Sequence, residues 1–299
     1  MTGPVPVERR QIQDDSRGIL DPWLLRQRVA FARYPPPPAL EGIVDRFWAV
    51  RWRLPDGTAH RQEVLTHPSV NITVGTPDAR TGRAAPEALV TGVATELVDR
   101  ELAGAGWTVA AMTTVGGFGA FVDEPVSSLV GRAVDVDVVP GVEGDALLAA
   151  VTGAGGDTDG PDDAGREPAR VAVLARTLEE LLEAADPGRV AQAREVAAVA
   201  RIAETDRDVR RLDDLATRAG VTPRALQRLF ARHAGVSPTW VLRRYRLLEA
   251  AEAVRAGERV VWADVASALG YADQAHLVRE FRAALGRTPE AYARALRAM

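Results

Sequence analysis

Polar side chains that suit recognition of a DNA base edge recur at helical spacing in the C-terminal third of the sequence. Arg224, Gln227 and Arg228 stand at i, i+3 and i+4, so a helix would place them on one face. An arginine fork matches O6 and N7 of guanine in the major groove, and a glutamine amide matches N6 and N7 of adenine. The opposite face is apolar and is predicted to pack: it carries Leu226, Leu229, Phe230 and His233. The spacing therefore predicts a helix that can read DNA.

A shorter helix in front of this one completes a helix-turn-helix. Residues 212–219 are predicted to form a support helix that ends at Gly220, because glycine accepts the left-handed backbone of a helix end. Thr222 is the expected N-cap of the reading helix. Pro223 suits its first turn, where a missing N–H costs nothing. Two helices joined by such a tight turn are typical of DNA-binding units.

The same pattern occurs a second time, in residues 262–292. After fifty positions the repeat pairs Asp214 with Asp264, Ala216 with Ala266 and Gly220 with Gly270. After fifty-one positions it pairs Leu226 with Leu277, Arg228 with Arg279, Phe230 with Phe281, Gly235 with Gly286 and Pro238 with Pro289. The one-residue slip falls in a turn, where insertions are tolerated better than in packed helices. The sequence therefore predicts two helix-turn-helix units.

The second reading helix is predicted to run from Asp273, as its cap, to Leu285. Its packing face carries Leu277, Val278, Phe281 and Leu285. His276 flanks the exposed face, where it either touches DNA or pairs with Glu280 at i, i+4. The residues predicted to contact DNA are Thr222, Arg224, Gln227, Arg228, Arg232, Arg244, Gln274, Ala275, His276, Arg279 and Arg282. We expect the first unit to discriminate bases more, and the second to anchor the backbone, with Arg279 as its best base contact.

One helix is predicted to connect the two units, over residues 238–256, with Gly257 at its end. Nineteen residues at ~1.5 Å each span ~28 Å, close to the ~34 Å turn of B-DNA, so both units could enter successive major grooves. Arg243, Arg244 and Arg246 cluster near the middle of this helix. Arg244 is expected to contact phosphate.

The charge is unevenly distributed along the chain. Residues 205–299 hold 17 Arg against 11 Asp and Glu, whereas the remainder holds 20 against 30. A basic, repeat-containing end on an acidic body is typical of a protein in which one part touches a polyanion. The alternative is that this charge only solvates a helical domain.

Composition excludes several classes of protein. The chain has no Cys, which excludes disulfides, thiolate zinc sites and cysteine nucleophiles. No apolar run approaches the ~18 residues of a membrane span, and the first residues lack the apolar core of a signal peptide. We therefore expect a soluble cytoplasmic protein with no membrane partner.

The fold class expected is α+β. An N-terminal lead-in with the proline run Pro35–Pro38 (1–40) precedes a β-rich domain (41–150), because short apolar runs there alternate with Gly, Pro and Asp turns. A Gly/Asp/Pro linker (151–169), a helical pair (170–204) and the double helix-turn-helix (205–299) follow. The β-rich part is predicted to be a barrel, either filled by side chains or holding a small molecule. The helical pair is expected to bury its apolar stripes within the chain or against a second copy in a homodimer.

These motifs resemble a known family. The segments LATRAGVTPRALQRLFARHAGVSP and DVASALGYADQAHLVREFRAALGRTPEAY are similar to the paired units of AraC/XylS transcription regulators, over about residues 208–298. YPPPPALEGIVDRFWAVRW, LTHPSVNITV and VGGFGAF resemble the cupin-like N-terminal domain of one branch of that family. The resemblance implies double-stranded promoter DNA, RNA polymerase and a small-molecule effector as partners. Ala275 departs from the polar residues common at its position.

A second hypothesis is a cupin-type metal enzyme with an accessory DNA-binding tail. His60, Glu63 and His67 are its only candidate ligands in the β-rich part, and two histidines are too few for the usual set. No nucleophile elbow and no nucleotide loop with its lysine is present. The sequence therefore favours a regulator that is not an enzyme, with no catalytic residue, metal or cofactor.

Overall fold

A β-rich N-terminal part is followed by a helical C-terminal part. The computed structural model describes residues 19, 20, 25, 28–83, 85–154, 165–255 and 261–298. The strands are β1 (Val29–Tyr34), β2 (Val44–Arg53), β3 (Ala59–Val64), β4 (Asn71–Gly75), β5 (Glu87–Thr91), β6 (Val98–Ala103), β7 (Ala105–Thr113) and β8 (Ala133–Asp135). The helices are α1 (Gly144–Ala154), α2 (Glu167–Ala184), α3 (Pro187–Thr205), α4 (Leu212–Ala219), α5 (Pro223–His233), α6 (Pro238–Arg255), α7 (Trp262–Ala268), α8 (Gln274–Leu285) and α9 (Pro289–Ala298).

The strands form two antiparallel sheets. The larger has the order β1-β2-β7-β4-β5-β8, and the smaller pairs β3 with β6. Along β2 the side chains alternate between the two faces of the sheet: Phe47 and Ala49 are buried in the main core, while Trp48 and Val50 line a cavity between the sheets. Gln62, Val64, Val98 and Leu102 border that cavity from the smaller sheet. The two sheets therefore enclose a space.

The predicted α+β class is confirmed, whereas barrel closure is not shown. Within the described residues, no strand pairing joins the small sheet to the large one. Between β7 and β8 the chain leaves the sheet and forms two short 3-10 helices, Gly117–Ala120 and Val126–Leu129. The proline run is extended at Pro37, and Pro38 begins another 3-10 helix.

Helices α2 and α3 connect the sheet to the C-terminal helices. Helix α2 packs on β2 and β7, where the Arg170 guanidinium lies 3.8 Å from the centre of the Trp107 ring. Helix α3 contacts the 3-10 helix Gly117–Ala120 on one side and α4, α5 and α6 on the other. One continuous hydrophobic core therefore runs from the sheet into the helix-turn-helix units. No described helix is both long and apolar enough to cross a bilayer.

Two predicted segments lie partly beyond the described residues. The predicted linker covers residues 155–164, which lie outside them, while α1 reaches Ala154 and α2 begins at Glu167. Ala256 and Gly257, the predicted end of the connecting helix, also lie outside them.

Candidate nucleic-acid interface

The first helix-turn-helix unit is built from local signals in the sequence. Helix α4 ends at Gly220, whose φ of 68° is the left-handed conformation that glycine accepts without strain. The Thr222 hydroxyl accepts a hydrogen bond from the Ala225 amide at 3.2 Å, and Pro223 is the first residue of α5. The support helix, the turn and the cap predicted from the sequence are therefore confirmed.

Helix α5 separates an apolar face from a polar one. Leu226, Phe230 and His233 are buried, and Leu229 is partly buried. Arg224, Gln227 and Arg228 are exposed, as the 3.6-residue period predicts. Arg232 is half-buried at the flank of this row. The helix therefore presents two guanidinium groups and one amide to solvent.

Helix α8 repeats this arrangement in the second unit. The Asp273 carboxylate accepts from the His276 amide at 2.6 Å, and the helix ends at Gly286, whose φ is 71°. The buried side chains are Leu277, Phe281 and Leu285, with Val278 partly buried. The exposed ones are Gln274, Ala275, Arg279 and Arg282.

His276 has a partner within its own helix. Its Nε2 lies 3.4 Å from the Glu280 Oε1, which is the i, i+4 pairing considered for it from the sequence. Glu280 also lies 3.4 Å from the Arg243 Nε. His276 is therefore directed towards α6 in this structure.

Helix α6 joins the two units and presents its three arginines to different surroundings. Arg243 is exposed, Arg246 is half-buried and Arg244 is only 3% exposed. The Arg244 Nη2 donates hydrogen bonds to the carbonyl oxygens of Ala94, at 3.1 Å, and Thr95, at 2.6 Å. Its guanidinium also lies 4.6 Å from the centre of the Trp240 ring.

The position of Arg244 corrects the phosphate contact predicted for it. Burial lowers the pKa of Arg244 to about 10, which still leaves the guanidinium charged at neutral pH. A charged group that is enclosed and already hydrogen-bonded to carbonyls is not available to DNA in this arrangement. The sequence placed Arg244 in a cluster of arginines, but helical period alone does not show which face of α6 meets the N-terminal part.

Contacts between the N-terminal part and the helix-turn-helix units were not predicted. Arg287, just before α9, forms an ion pair with Glu63 of β3. The Tyr292 hydroxyl donates to the Leu20 carbonyl at 3.2 Å. The Gly119 Cα faces His233 of α5 so closely that an added Cβ would lie 2.9 Å from the His233 Cα. No local pattern signals such contacts, because the partners are more than 100 residues apart.

The cavity between the two sheets has a volume of about 270 Å³. Trp48, Val50 and Leu89 contribute apolar walls. Polar groups reach the same space from Arg33, Arg46, Asn71 and Arg100, and the Trp48 indole N–H donates to the Asn71 side-chain oxygen at 3.2 Å. A mostly apolar space with a few polar groups is typical of a small-molecule site.

The three candidate metal ligands do not assemble into a site. His60 is fully buried in β3, Glu63 binds Arg287, and His67 borders the cavity. Across the described residues, no group of three or more metal-ligating side chains is present.

Comparison with known proteins agrees with this geometry. Residues 215–295 match the family model of a helix-turn-helix domain, and residues 32–135 match a domain of unknown function (DUF6597). A comparison with curated protein sequences found no match.

Two solved proteins are similar in structure. The C-terminal domain of AraT, a response regulator from Geobacillus stearothermophilus, is 24% identical over 34% of this chain and 84% of its own, with a TM-score of 0.32. ToxT from Vibrio cholerae is 10% identical over 89% of this chain and 98% of its own, with a TM-score of 0.38. ToxT has also been solved with (E)-4-(8-methylnaphthalen-1-yl)but-3-enoic acid, at 10% identity, 90% and 99% coverage and a TM-score of 0.38.

The fold and the exposed helix faces define a DNA-binding protein of the helix-turn-helix class. Two such units joined by one helix follow a β-rich domain, and this is the arrangement that the resemblance of the sequence motifs to AraC/XylS regulators implies.

Proposed function

We propose that this protein regulates transcription by reading promoter DNA with α5 and α8 in successive major grooves. The observation that carries the proposal is the pair of exposed rows: Arg224, Gln227 and Arg228 on α5, and Gln274 and Arg279 on α8. Each row lies opposite a buried apolar face, so neither is needed for packing. The described part of α6 has 18 residues and, at ~1.5 Å each, spans ~27 Å, which suits one helical turn of DNA.

The two rows differ in their capacity to discriminate bases. The exposed row of α5 has two arginines and a glutamine, whereas that of α8 includes Ala275, whose side chain cannot form a hydrogen bond to a base. We infer that α5 supplies most of the sequence preference and that α8 contributes Arg279 together with backbone contacts. Double-stranded promoter DNA in the cytoplasm, transcribed by RNA polymerase, is the target that this function requires.

The cavity in the N-terminal part is proposed as the site of a small-molecule effector. Thr66 and Ala94 border the cavity, and the Ala94 carbonyl accepts from both the Thr66 hydroxyl, at 3.4 Å, and the Arg244 guanidinium. A ligand that displaced Ala94 would therefore also disturb the position of α6. The stripes of α2 and α3 are buried within the chain, which favours a packing role over dimerisation.

Selection from a random DNA library by the full-length protein tests the reading function. We expect one asymmetric motif with two elements about one helical turn apart. Arg228→Ala should weaken binding to that motif by ~1–3 kcal/mol and relax one base position. Arg176→Ala, which removes an exposed charge on α2, serves as the control. Equal losses of Arg228→Ala on the selected motif and on random DNA would contradict a base contact.

A further inference from the structure

A second cleft, of about 490 Å³, lies between the two helix-turn-helix units. Four parts of the chain form it: the segment before α4, helix α6, the turn between α7 and α8, and helix α8. Arg210 and Arg211 precede α4, Arg243 and Arg246 come from α6, and Glu280 comes from α8. The Arg210 side chain extends over Gly270, in the turn between α7 and α8, where an added Cβ would lie 3.0 Å from the Arg210 Cδ. The cleft therefore belongs to both units at once.

Positive charge dominates this cleft. Four guanidinium groups line it against a single carboxylate, that of Glu280, which is shared between Arg243 and His276. Tyr271 adds no negative charge, because a phenol is protonated at neutral pH and burial raises the pKa of Tyr271 further. Among the charged lining groups, no second acid offsets the arginines.

The concentration of positive charge affects the pKa of Arg246. Burial lowers its pKa, Tyr271 and Glu280 raise it, and the neighbouring Arg210 and Arg243 lower it further. Its Nη2 is held in place by a hydrogen bond of 2.7 Å to the Arg210 carbonyl oxygen. An anion in the cleft would relieve the repulsion between these guanidinium groups. A phosphate group suits them best, because its oxygens accept the paired N–H donors of an arginine fork.

We propose that this cleft binds a phosphate group of the DNA backbone, in the stretch that joins the two major grooves read by α5 and α8. The proposal rests on the function proposed above and specifies how the two units are held on DNA. Helix α8 contributes to both surfaces, since Glu280 lines the cleft and Arg279 belongs to the reading row. The backbone contact expected of Arg244 is thereby assigned to Arg243 and Arg246, which share the other side of α6.

Single neutral substitutions in the DNA backbone test the proposal. The full-length protein is titrated with its selected duplex and with a series in which one phosphate between the two elements is a methylphosphonate. For the wild type we expect one or two positions to weaken binding about 3- to 10-fold, the loss of one charged contact. In Arg243→Gln, a methylphosphonate at the same positions should not weaken binding any further. This variant should fold as the wild type does, because 59% of the Arg243 side chain is exposed. Arg211→Gln provides a second exposed test.

Salt dependence gives an independent measurement. Each lost phosphate contact should reduce the slope of log K against log salt by ~0.9, on selected and random duplexes alike. Arg176→Gln changes the net charge equally but lies on α2, so it should keep both the wild-type slope and the methylphosphonate sensitivity. Identical methylphosphonate profiles for the wild type and Arg243→Gln would overturn the proposal while leaving sequence-selective binding intact. A wild type that selects no sequence would instead refute the proposed function.

The source of the phosphate is tested with inorganic phosphate and pyrophosphate at constant ionic strength. If either stabilises the wild type in a saturable manner but not Arg243→Gln, and no methylphosphonate position matters, the cleft takes a free phosphate compound. That result would refute the DNA assignment. Methylphosphonate sensitivity that Arg243→Gln abolishes supports it.

Discussion

Replacing Arg244 by methionine should separate the N-terminal part from α6 without removing a DNA contact. The guanidinium donates two hydrogen bonds to the Ala94 and Thr95 carbonyl oxygens and is almost fully buried. Methionine retains most of the packing against Trp240 but donates no hydrogen bond. The substitution therefore tests the polar contact specifically.

The expected loss of stability is set by these contacts. Hydrogen bonds from a charged donor contribute about 1.5–3 kcal/mol each, and leaving buried carbonyls without a donor adds to the cost of losing them. Part of this loss is offset, because the substitution also removes the free-energy cost of burying a charged guanidinium, the same desolvation that lowers the pKa of Arg244. We expect the free energy of unfolding to fall by about 2–4 kcal/mol. The matched control, Arg176→Met on the surface of α2, should change it by less than about 0.5 kcal/mol.

Urea unfolding measures the loss of stability, and hydrogen exchange shows where in the chain it occurs. Exchange should accelerate in the amides around residues 94–95 and in α6, because opening of this contact costs less free energy. The slope of log K for DNA binding against log salt concentration should be the same as in the wild type. A slope reduced by ~0.9 would show that Arg244 contacts phosphate after all, and would refute the assignment drawn from its burial.

Other contacts give three more predictions. Burial lowers the pKa of His233, with Arg232 contributing, so below about pH 6.5 the unfolded chain takes up a proton that the folded protein does not. The free energy of unfolding should therefore fall as pH decreases through that range, by at most ~1.4 kcal/mol per pH unit. Urea unfolding of His233→Gln should show a weaker pH dependence, and a pH profile identical to that of the wild type would contradict the prediction. Gly119→Ala should destabilise by about 1–3 kcal/mol because its Cβ would meet the His233 backbone, while Gly153→Ala, where nothing lies within 4 Å, should be neutral or stabilising. Leu89→Trp should fill the cavity between the sheets and abolish enhancement of anilinonaphthalene sulfonate fluorescence, whereas Val138→Trp, at a residue 42% exposed, should not; equal enhancement in both would argue against a ligand site there.

The features that the sequence predicted well are local. The caps at Thr222 and Asp273 and the glycine ends at Gly220 and Gly286 depend on residues within one turn of each other. The buried and exposed faces of α5 and α8 are set by helical period, because each helix has a single apolar stripe. The β-rich character of residues 41–150 is local too, because it follows from short apolar runs separated by turn residues.

The features that the sequence could not predict depend on contacts between distant residues. Arg244 and its acceptor Ala94 are 150 positions apart, and nothing near either residue indicates the other. Arg243, Arg244 and Arg246 are chemically alike, so only the packing of α6 decides which is enclosed and which lines the cleft. The arrangement of the strands into two sheets is likewise a matter of pairing between segments rather than of local pattern.

Helix α6 is a rigid connection between the two reading units, which are attached to its ends. Arg244 fixes a point along it, and about eleven residues, or ~16 Å, separate that point from the end that carries the second unit. A tilt of about 10° around this fixed point would displace that end by ~3 Å, close to the ~3.4 Å between neighbouring bases of a strand. If α5 stays packed against Gly119 through His233, such a rotation would shift α8 by nearly one base pair relative to α5. The spacing between the two half-elements of the DNA is the quantity that such a movement would change.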